Sequence, residues 1–340
     1  MQEAYPWEKC SNQELLEWRL CDLDLQLEGT WLERPIERLY SELAARELRV
    51  RPHCWLSEEW FSPDGVPGIA IPFYLAHPRL KRLERAQILE VEGSSQAECL
   101  RLLRHEAGHA VQHAFRLHRR KKWRQLFGSS STPYPDSYRP KPGSRKYVVH
   151  LPYWYAQSHP DEDFAETFAV WLTPGSRWRH RYQGWPALRK LRYVDQLMHE
   201  LANEKPPVTS RAKPDPVHRL KTTLGEHYKS KRDRYQILAS RAYDTDLLRF
   251  FSLPDQTEGR SVSAASVLRK HRTSIRRMVR RSTGKHELTL DVVLREMIVR
   301  ATELQLRATG PQSQLVVDFA ILLAARSAEF VYRGRDWQAL

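Results

Sequence analysis

The 340-residue sequence predicts an α+β fold that is mostly helical and contains a small sheet. Apolar residues recur at helical spacing over most of the chain, whereas 68–75 is a short apolar run typical of a strand. A proline-rich segment, 204–217, separates residues 1–203 from a basic and mainly helical region, 218–340. We therefore expect an α+β domain, a linker and a helical C-terminal extension.

The composition is that of a soluble globular chain. Hydrophobic residues make up 41% and charged residues 28%, and no run approaches the roughly 18 apolar residues of a membrane span. The first residues lack the apolar core of a signal peptide, and the four cysteines have no metal-binding spacing. We therefore expect reduced thiols, a cytoplasmic location and no membrane partner. The net charge of +14 fits either an acidic partner such as nucleic acid or a solubilising surface.

The N-terminal region is predicted to begin with helices and to continue into strands. Apolar residues recur at helical spacing through 11–50. In the strand 68–75, Pro72 cannot donate a hydrogen bond to a neighbouring strand, so we expect this strand at an edge of the sheet. Residues 88–93 are a candidate for a second, short strand.

The following helix contains the pattern His-Glu-x-x-His. Ser95 stands three residues before Glu98, which predicts a capping box at the helix start. His105 and His109 share one helix face and can hold one zinc ion, while Glu106 points to the neighbouring side, within reach of a zinc-bound water. Zinc lowers the pKa of that water to about 7, and Glu106 can take its proton. The pattern therefore indicates a zinc hydrolase, with an ordinary polar stripe as the alternative.

A third ligand is expected further along the chain. No histidine stands six residues after His109, so His113 is expected to support a ligand or to be exposed. Pro160 begins a second predicted helix, on which Glu162 and Glu166 share a face. One glutamate can ligate zinc while the other accepts a hydrogen bond from a ligating imidazole. The spacing leaves open which of the two is the ligand.

Together these motifs resemble the gluzincin arrangement of zinc peptidases. Residues 162–169 look like the third-ligand helix of lethal-factor-type peptidases, and 155–172 resembles the bacterial putative zinc-binding metallopeptidase family. The resemblance spans about residues 50–200. It implies a zincin-like domain, with a small sheet, a zinc helix and a ligand helix, a Zn²⁺ cofactor and a peptide or protein substrate. In such a domain an edge strand above the zinc helix pairs with the substrate, a place that 68–75 fits.

The resemblance also implies roles for single residues. Glu162 would be the third zinc ligand, and Glu166 the hydrogen-bond partner of a ligating imidazole. Tyr155, seven residues before Glu162, corresponds to the tyrosine that stabilises the oxyanion. Three nearby residues are alternatives for that role: Tyr147, His150 and Tyr153. The sequence alone does not exclude Glu166 as the ligand.

Two further regions bear on function. Residues 125–157 are rich in proline and tyrosine and are predicted to form an irregular wall of a substrate cleft. Within 218–340, helices are predicted at 267–281, 290–308 and 315–332, and the first is strongly basic. Basic helices can contact phosphates, but no nucleic-acid motif accompanies this one. The leading hypothesis is a zinc metallopeptidase; the alternative is a non-catalytic zinc scaffold whose basic helices bind nucleic acid or an acidic partner.

Overall fold

A computed structural model describes most of the chain: residues 5–88, 91–135, 137–138, 141, 143–234, 243–256, 261–283, 287–332 and 338–339. The chain divides into two compact units, Met1–Ser230 and Lys231–Ala339. Helices predominate and the described strands are short, which confirms the predicted α+β class with a helical C-terminal extension.

Helices surround one short parallel sheet in the first unit. The helices are α1 (Asn12–Leu16), α2 (Glu33–Ala44), α3 (Pro78–Ile88), α4 (Gln96–Phe115), α5 (Lys121–Phe127), α6 (Pro160–Leu172), α7 (Trp178–Arg181), α8 (Leu188–Glu200) and α9 (Leu224–Arg234), which contains the division between the units. The strands are β1 (His53–Ser57), β2 (Gly68–Pro72) and β3 (Ser137–Tyr138), and a 3-10 helix, Pro152–Gln157, precedes α6. The short strand predicted at 88–93 is wrong for the described residues, because Ile88 ends α3 and 92–93 form a turn; 89–90 lie outside the described residues.

Strand β2 is buried along its whole length. It pairs in parallel with β1, and Gly68 is opposite His53, where a Cβ on the glycine would lie 2.6 Å from the imidazole Cε1. On β2, the Ala70 N–H donates to the Phe61 carbonyl at 2.9 Å, so the chain itself occupies part of the second edge of this strand. The open edge that substrate pairing requires is therefore not available at Ala70.

The predicted linker, 204–217, lies inside the first unit, and the division between the units comes later in the chain. Alternate side chains of β1 bond to its carbonyl groups. The contacts are His53 Nε2 to Ala212 O at 2.8 Å, Trp55 Nε1 to Pro214 O at 2.9 Å and Ser57 Oγ to Asp215 O at 2.6 Å. Prolines exclude regular structure here, but the carbonyl groups still accept hydrogen bonds, so the segment docks beside the sheet.

Helices α4 and α6 form the centre of the first unit. The Ser95 side chain accepts a hydrogen bond from Glu98 N, and the Glu98 carboxylate accepts one from Ser95 N, which confirms the capping box. α6 begins at Pro160, as predicted. The two helices approach closely at Gly108, where an added Cβ would lie 2.7 Å from Ala165 Cα. This glycine therefore sets the distance between the helices.

α4 does not continue into the basic stretch that follows it. Arg116 adopts a left-handed conformation, with φ of 50°, and ends the helix. A 3-10 turn, Leu117–Arg119, leads into α5. Because a non-glycine residue in this conformation is uncommon, no residue type at this position predicts the turn.

The second unit consists mainly of three helices that pack on one another. Its elements are α10 (Asp244–Leu247), β4 (Val262–Ser263), α11 (Ala264–Thr283), α12 (Glu287–Glu303), β5 (Arg307–Ala308), α13 (Gln312–Tyr332) and β6 (Gln338–Ala339). Several arginines of this unit form ion pairs within it: the buried Asp291 carboxylate accepts hydrogen bonds from Arg272 and Arg276. The basic pattern of α11 is therefore partly structural. Among the described helices of the chain, none has the length and apolarity needed to cross a membrane.

Candidate metal centre

Helices α4 and α6 bring three potential ligand atoms together in the first unit. His105 and His109 lie one helical turn apart on α4, and their Nε2 atoms are 3.2 Å from each other. Glu162, in the first turn of α6, places its Oε2 atom 2.9 Å from His105 Nε2 and 3.2 Å from His109 Nε2. All three residues are buried. Among the described residues, these three form the group whose ligand atoms lie close enough together to hold a metal ion.

The three atoms fit a zinc ion. Zinc bound at about 2.0–2.1 Å in tetrahedral geometry holds its ligand atoms about 3.3 Å apart, close to the observed separations. Two imidazole nitrogens and one carboxylate oxygen are ligand types that zinc accepts. Burial excludes most water from these groups, so a cation would compensate the buried carboxylate of Glu162. Burial alone would raise the pKa of Glu162, but His109 and His105 lower it well below its ordinary value.

Glu166 holds His105 from the other side of the imidazole. The Nδ1 atom of His105 lies 3.0 Å from Glu166 Oε1, so a proton on Nδ1 leaves the Nε2 lone pair free to face the metal position. The second oxygen of Glu166 accepts hydrogen bonds from the backbone N–H groups of His150 and Leu151 at 3.1 and 2.9 Å. Glu162, rather than Glu166, therefore lies against both Nε2 atoms.

Glu106 follows His105 on α4, and its carboxylate interacts electrostatically with His105, His109 and Glu162. Its side chain is buried, and its Oε2 atom has no hydrogen-bond partner among the described residues. Burial raises the pKa of Glu106, because a carboxylate loses hydration there. A buried carboxylate with a free oxygen is suited to hold and release a proton.

Tyr155 lies on the 3-10 helix before α6, with its ring centroid 5.5 Å from that of His105. Burial raises the pKa of its phenol well above the ordinary value, so it remains a hydrogen-bond donor at neutral pH. Of the alternatives, the His150 imidazole contacts the Arg101 carbonyl at 2.9 Å, and Lys190 Nζ lies 4.4 Å from the Tyr147 ring centroid. The side chain of Tyr153 lies outside the described part of the structure.

Tyr134 joins the cluster from the irregular segment between the motifs. Its hydroxyl donates to Glu162 Oε1 at 2.8 Å, and its ring stacks on His159 with centroids 3.8 Å apart. His159 caps α6 by accepting a hydrogen bond from Asp161 N, and its Nε2 contacts the Thr132 carbonyl at 2.7 Å. Sequence reasoning did not single out Tyr134. The one sequence feature that pointed to a role for Tyr134 was the high number of tyrosines in this segment.

The part of the chain that contains this centre is similar to a known family. Residues 86–175 match the family model described as "Putative zinc-binding metallo-peptidase". That match confirms the resemblance to this family. Comparisons with curated proteins and with solved structures gave no match.

The match contains both α4 and α6, and therefore every residue of the three-ligand group. A zinc-binding family and a group able to hold a metal ion together support the predicted Zn²⁺ cofactor. The finer likeness to gluzincins and to lethal-factor-type peptidases goes beyond the match and stays a prediction.

His113, the next polar residue on the same face of α4, does not contact the ligand residues by a hydrogen bond in the described structure. Its Nδ1 atom accepts a hydrogen bond from Gly65 N at 3.3 Å. The residue is buried rather than exposed, and burial lowers its pKa to about 4. His113 is therefore a neutral imidazole at pH 7 that connects α4 to the turn before β2.

Proposed function

We propose that the protein is a zinc-dependent metallopeptidase that hydrolyses peptide bonds in a peptide or protein substrate. The observation that carries this proposal is the buried convergence of His105 Nε2, His109 Nε2 and Glu162 Oε2 beside the unpaired carboxylate oxygen of Glu106. Its presence within the segment matched by a metallopeptidase family adds support. A cytoplasmic location, expected from the sequence, belongs to the same proposal.

The metal ligands are proposed to be His105, His109 and Glu162, with Glu166 holding His105 in the ligating tautomer. A zinc ion held there would act as a Lewis acid, polarising the substrate carbonyl and making a coordinated water more acidic. The protein residues determine which atoms face the ion, because Glu166 takes the proton-bearing Nδ1 atom of His105 and leaves Nε2 available.

Glu106 is proposed to be the general base and acid. Its carboxylate takes a proton from the attacking water and delivers it to the nitrogen of the leaving amine. Its raised pKa suits both steps, since a more basic carboxylate takes the proton more readily and the neutral acid is not strongly disfavoured.

Tyr155 is proposed to donate a hydrogen bond to the carbonyl oxygen as negative charge develops on it. The ring lies beside His105, and the phenol is protonated at neutral pH. A donor placed in a buried site is effective because little water competes for the developing charge.

The test is to measure metal content and cleavage of a peptide library in the same samples of wild type, His109→Ala and Glu106→Gln. We expect about one zinc per wild-type chain, loss of zinc in His109→Ala, and zinc without turnover in Glu106→Gln. Cleavage by Glu106→Gln at the wild-type rate would refute the role of Glu106. A wild type that binds zinc and cleaves no peptide would instead favour the non-catalytic scaffold. The next measurement would then be whether the basic region, 218–340, is retained on DNA.

A further inference from the structure

A cavity lies at the C-terminal end of α4, and all of its lining residues belong to the first unit. It has a volume of about 430 Å³. Most of its lining side chains are basic or carry a hydroxyl group: His113, Arg116, His118, Arg119, Ser130 and Ser131. The acidic residue among the lining residues is Asp64, whose side chain is fully exposed. The cavity therefore has a positive wall.

His113 supplies a fixed hydrogen-bond donor to this cavity. Because the Gly65 N–H donates to Nδ1, the neutral imidazole carries its proton on Nε2. That nitrogen lies 3.6 Å from Asp64 Oδ1, too far for a good hydrogen bond. The imidazole is buried, so the direction of this donor is set by packing rather than by a mobile side chain.

The two arginines of this wall, Arg116 and Arg119, are exposed residues. Within the described ranges, neither forms an ion pair or a side-chain hydrogen bond. The Nδ1 atom of His118 is also buried, and it has no hydrogen-bond partner among the residues that the structure describes. Guanidinium groups bind carboxylates in pairs of parallel hydrogen bonds, so this wall is complementary to a carboxylate.

Two segments of the chain contribute residues both to the cavity and to the surroundings of the metal centre. His113 follows His109 by one turn of α4, which is about 5.4 Å and less than two residues of extended peptide. Ser130 donates to Asp161 Oδ2 at 2.8 Å, and Asp161 is the neighbour of the ligand Glu162. The segment that carries Ser130 also carries Tyr134, which bonds to Glu162. The cavity therefore lies within the length of a few residues of extended peptide from the metal position.

We infer that this cavity binds a carboxylate of the substrate, a few residues from the bond that is cleaved, with Arg116, Arg119 and His113 Nε2 as its donors. The inference rests on the proposed peptidase function and adds a substrate class to it: acidic peptides. The carboxylate has two possible sources, the C-terminus of the peptide or an Asp or Glu side chain.

The competing structural explanation is that the arginines only stabilise the end of α4. The C-terminal carbonyls of a helix favour nearby cations, an effect of about 0.3–1 kcal/mol at an exposed site. That role needs no ligand. It predicts a change in stability without a change in the peptides that bind.

The experiment measures binding without turnover. Zinc-loaded Glu106→Gln protein is immobilised and exposed to three matched libraries of acetylated octapeptides. The first has free C-termini and no acidic side chains, the second has amidated C-termini with Asp and Glu, and the third is amidated with Asn and Gln in their place. Retained peptides are identified by mass spectrometry. The same measurement is made after adding Arg116→Gln with Arg119→Gln, and after adding Lys121→Gln with Arg124→Gln.

We expect the first or the second library to be retained at least about fivefold more than the neutral one, a difference of about 1 kcal/mol. The library that is enriched identifies the source of the carboxylate. The enrichment should disappear in the Arg116 and Arg119 variant. It should persist in the Lys121 and Arg124 variant, which loses the same charge from α5, outside the cavity. If the double variant does not fold, Arg119→Gln alone serves, because Arg116 holds the left-handed position that ends α4.

Equal retention of acidic and neutral libraries would overturn the inference. Equal loss in both double variants would also overturn it, because the effect would then come from overall charge. Failure of the proposed function gives a different result: wild type would cleave none of the peptides that are retained, while the binding comparison would still stand.

Discussion

Gly108→Ala tests whether the contact between α4 and α6 is what assembles the metal centre. An alanine Cβ would lie 2.7 Å from Ala165 Cα, 3.1 Å from its carbonyl oxygen and 3.2 Å from its Cβ. Ordinary contacts between carbon atoms are about 3.5–4.0 Å, so the helices must separate by about 1 Å. Since His105 and His109 lie on α4 and Glu162 lies on α6, the separation also moves the ligands apart.

The two effects of this substitution have opposite signs. Alanine in place of glycine within a helix contributes about 1 kcal/mol to stability, whereas overpacking a tight contact costs about 1–3 kcal/mol. We expect overpacking to prevail, because the neighbouring atoms belong to backbone that cannot rotate away. The metal-free variant should then unfold at lower urea concentration than wild type. Zinc affinity should fall at least about tenfold, since metal distances tolerate about 0.2 Å.

Urea unfolding of the metal-free protein measures the first effect, and competition with a chromophoric chelator measures the second. Gly310→Ala is the matched control, because no atom lies within 4 Å of its added Cβ. The control should leave zinc affinity unchanged. A Gly108→Ala protein that is about 1 kcal/mol more stable than wild type and binds zinc normally would refute the packing argument.

Three other predictions follow from the contacts around the centre. Glu166→Ala should lower zinc affinity by about 10–100-fold, because His105 loses its hydrogen-bond partner, and Glu162→Ala should lower it more. The reverse order in a chelator competition would exchange the roles of the two glutamates. Tyr134→Phe should weaken zinc binding by up to about tenfold while the thermal unfolding midpoint stays near that of wild type, because the hydrogen bond to Glu162 is lost and the stack on His159 remains. An unchanged affinity would mean that this hydrogen bond does not support the ligand. The free energy of unfolding should decrease as pH falls from 6.5 towards 4, by up to about 3 kcal/mol, because unfolded His113 takes up a proton that the buried imidazole, with its pKa of about 4, resists. His113→Gln should flatten that part of the pH curve, and an equally steep curve in the variant would assign the effect to other groups.

Local patterns predicted the ligand-bearing helices well. The Ser95 and Glu98 capping box, the His-Glu-x-x-His spacing and Pro160 at the start of α6 each involve residues within one or two turns. Interactions over that range depend little on the rest of the fold. The end of α4 was harder to predict, since Arg116 rather than a glycine adopts the left-handed conformation there.

Packing between segments that are distant in the chain could not be predicted from local patterns. Composition indicated that 204–217 is irregular, but could not show that its carbonyl groups bond to β1. Likewise, Pro72 predicted an edge strand, and β2 is one of the two strands of its sheet, but the pattern did not show that the Ala70 N–H donates to the Phe61 carbonyl. A proline reveals which donor is missing, and not which other backbone group takes the remaining edge.

The sequence by itself determined the ligand types, their spacing on each helix and the α+β class, because these depend on residue chemistry and on helical periodicity. Only the tertiary structure decided which glutamate meets the two imidazoles and that Tyr134 supports it. Glu162 and Glu166 share a helix face, so their difference arises from how α6 lies against α4, with Ala165 beside Gly108. Tyr134 lies in an irregular segment, 28 residues before Glu162, and no local periodicity predicts where such a segment folds back.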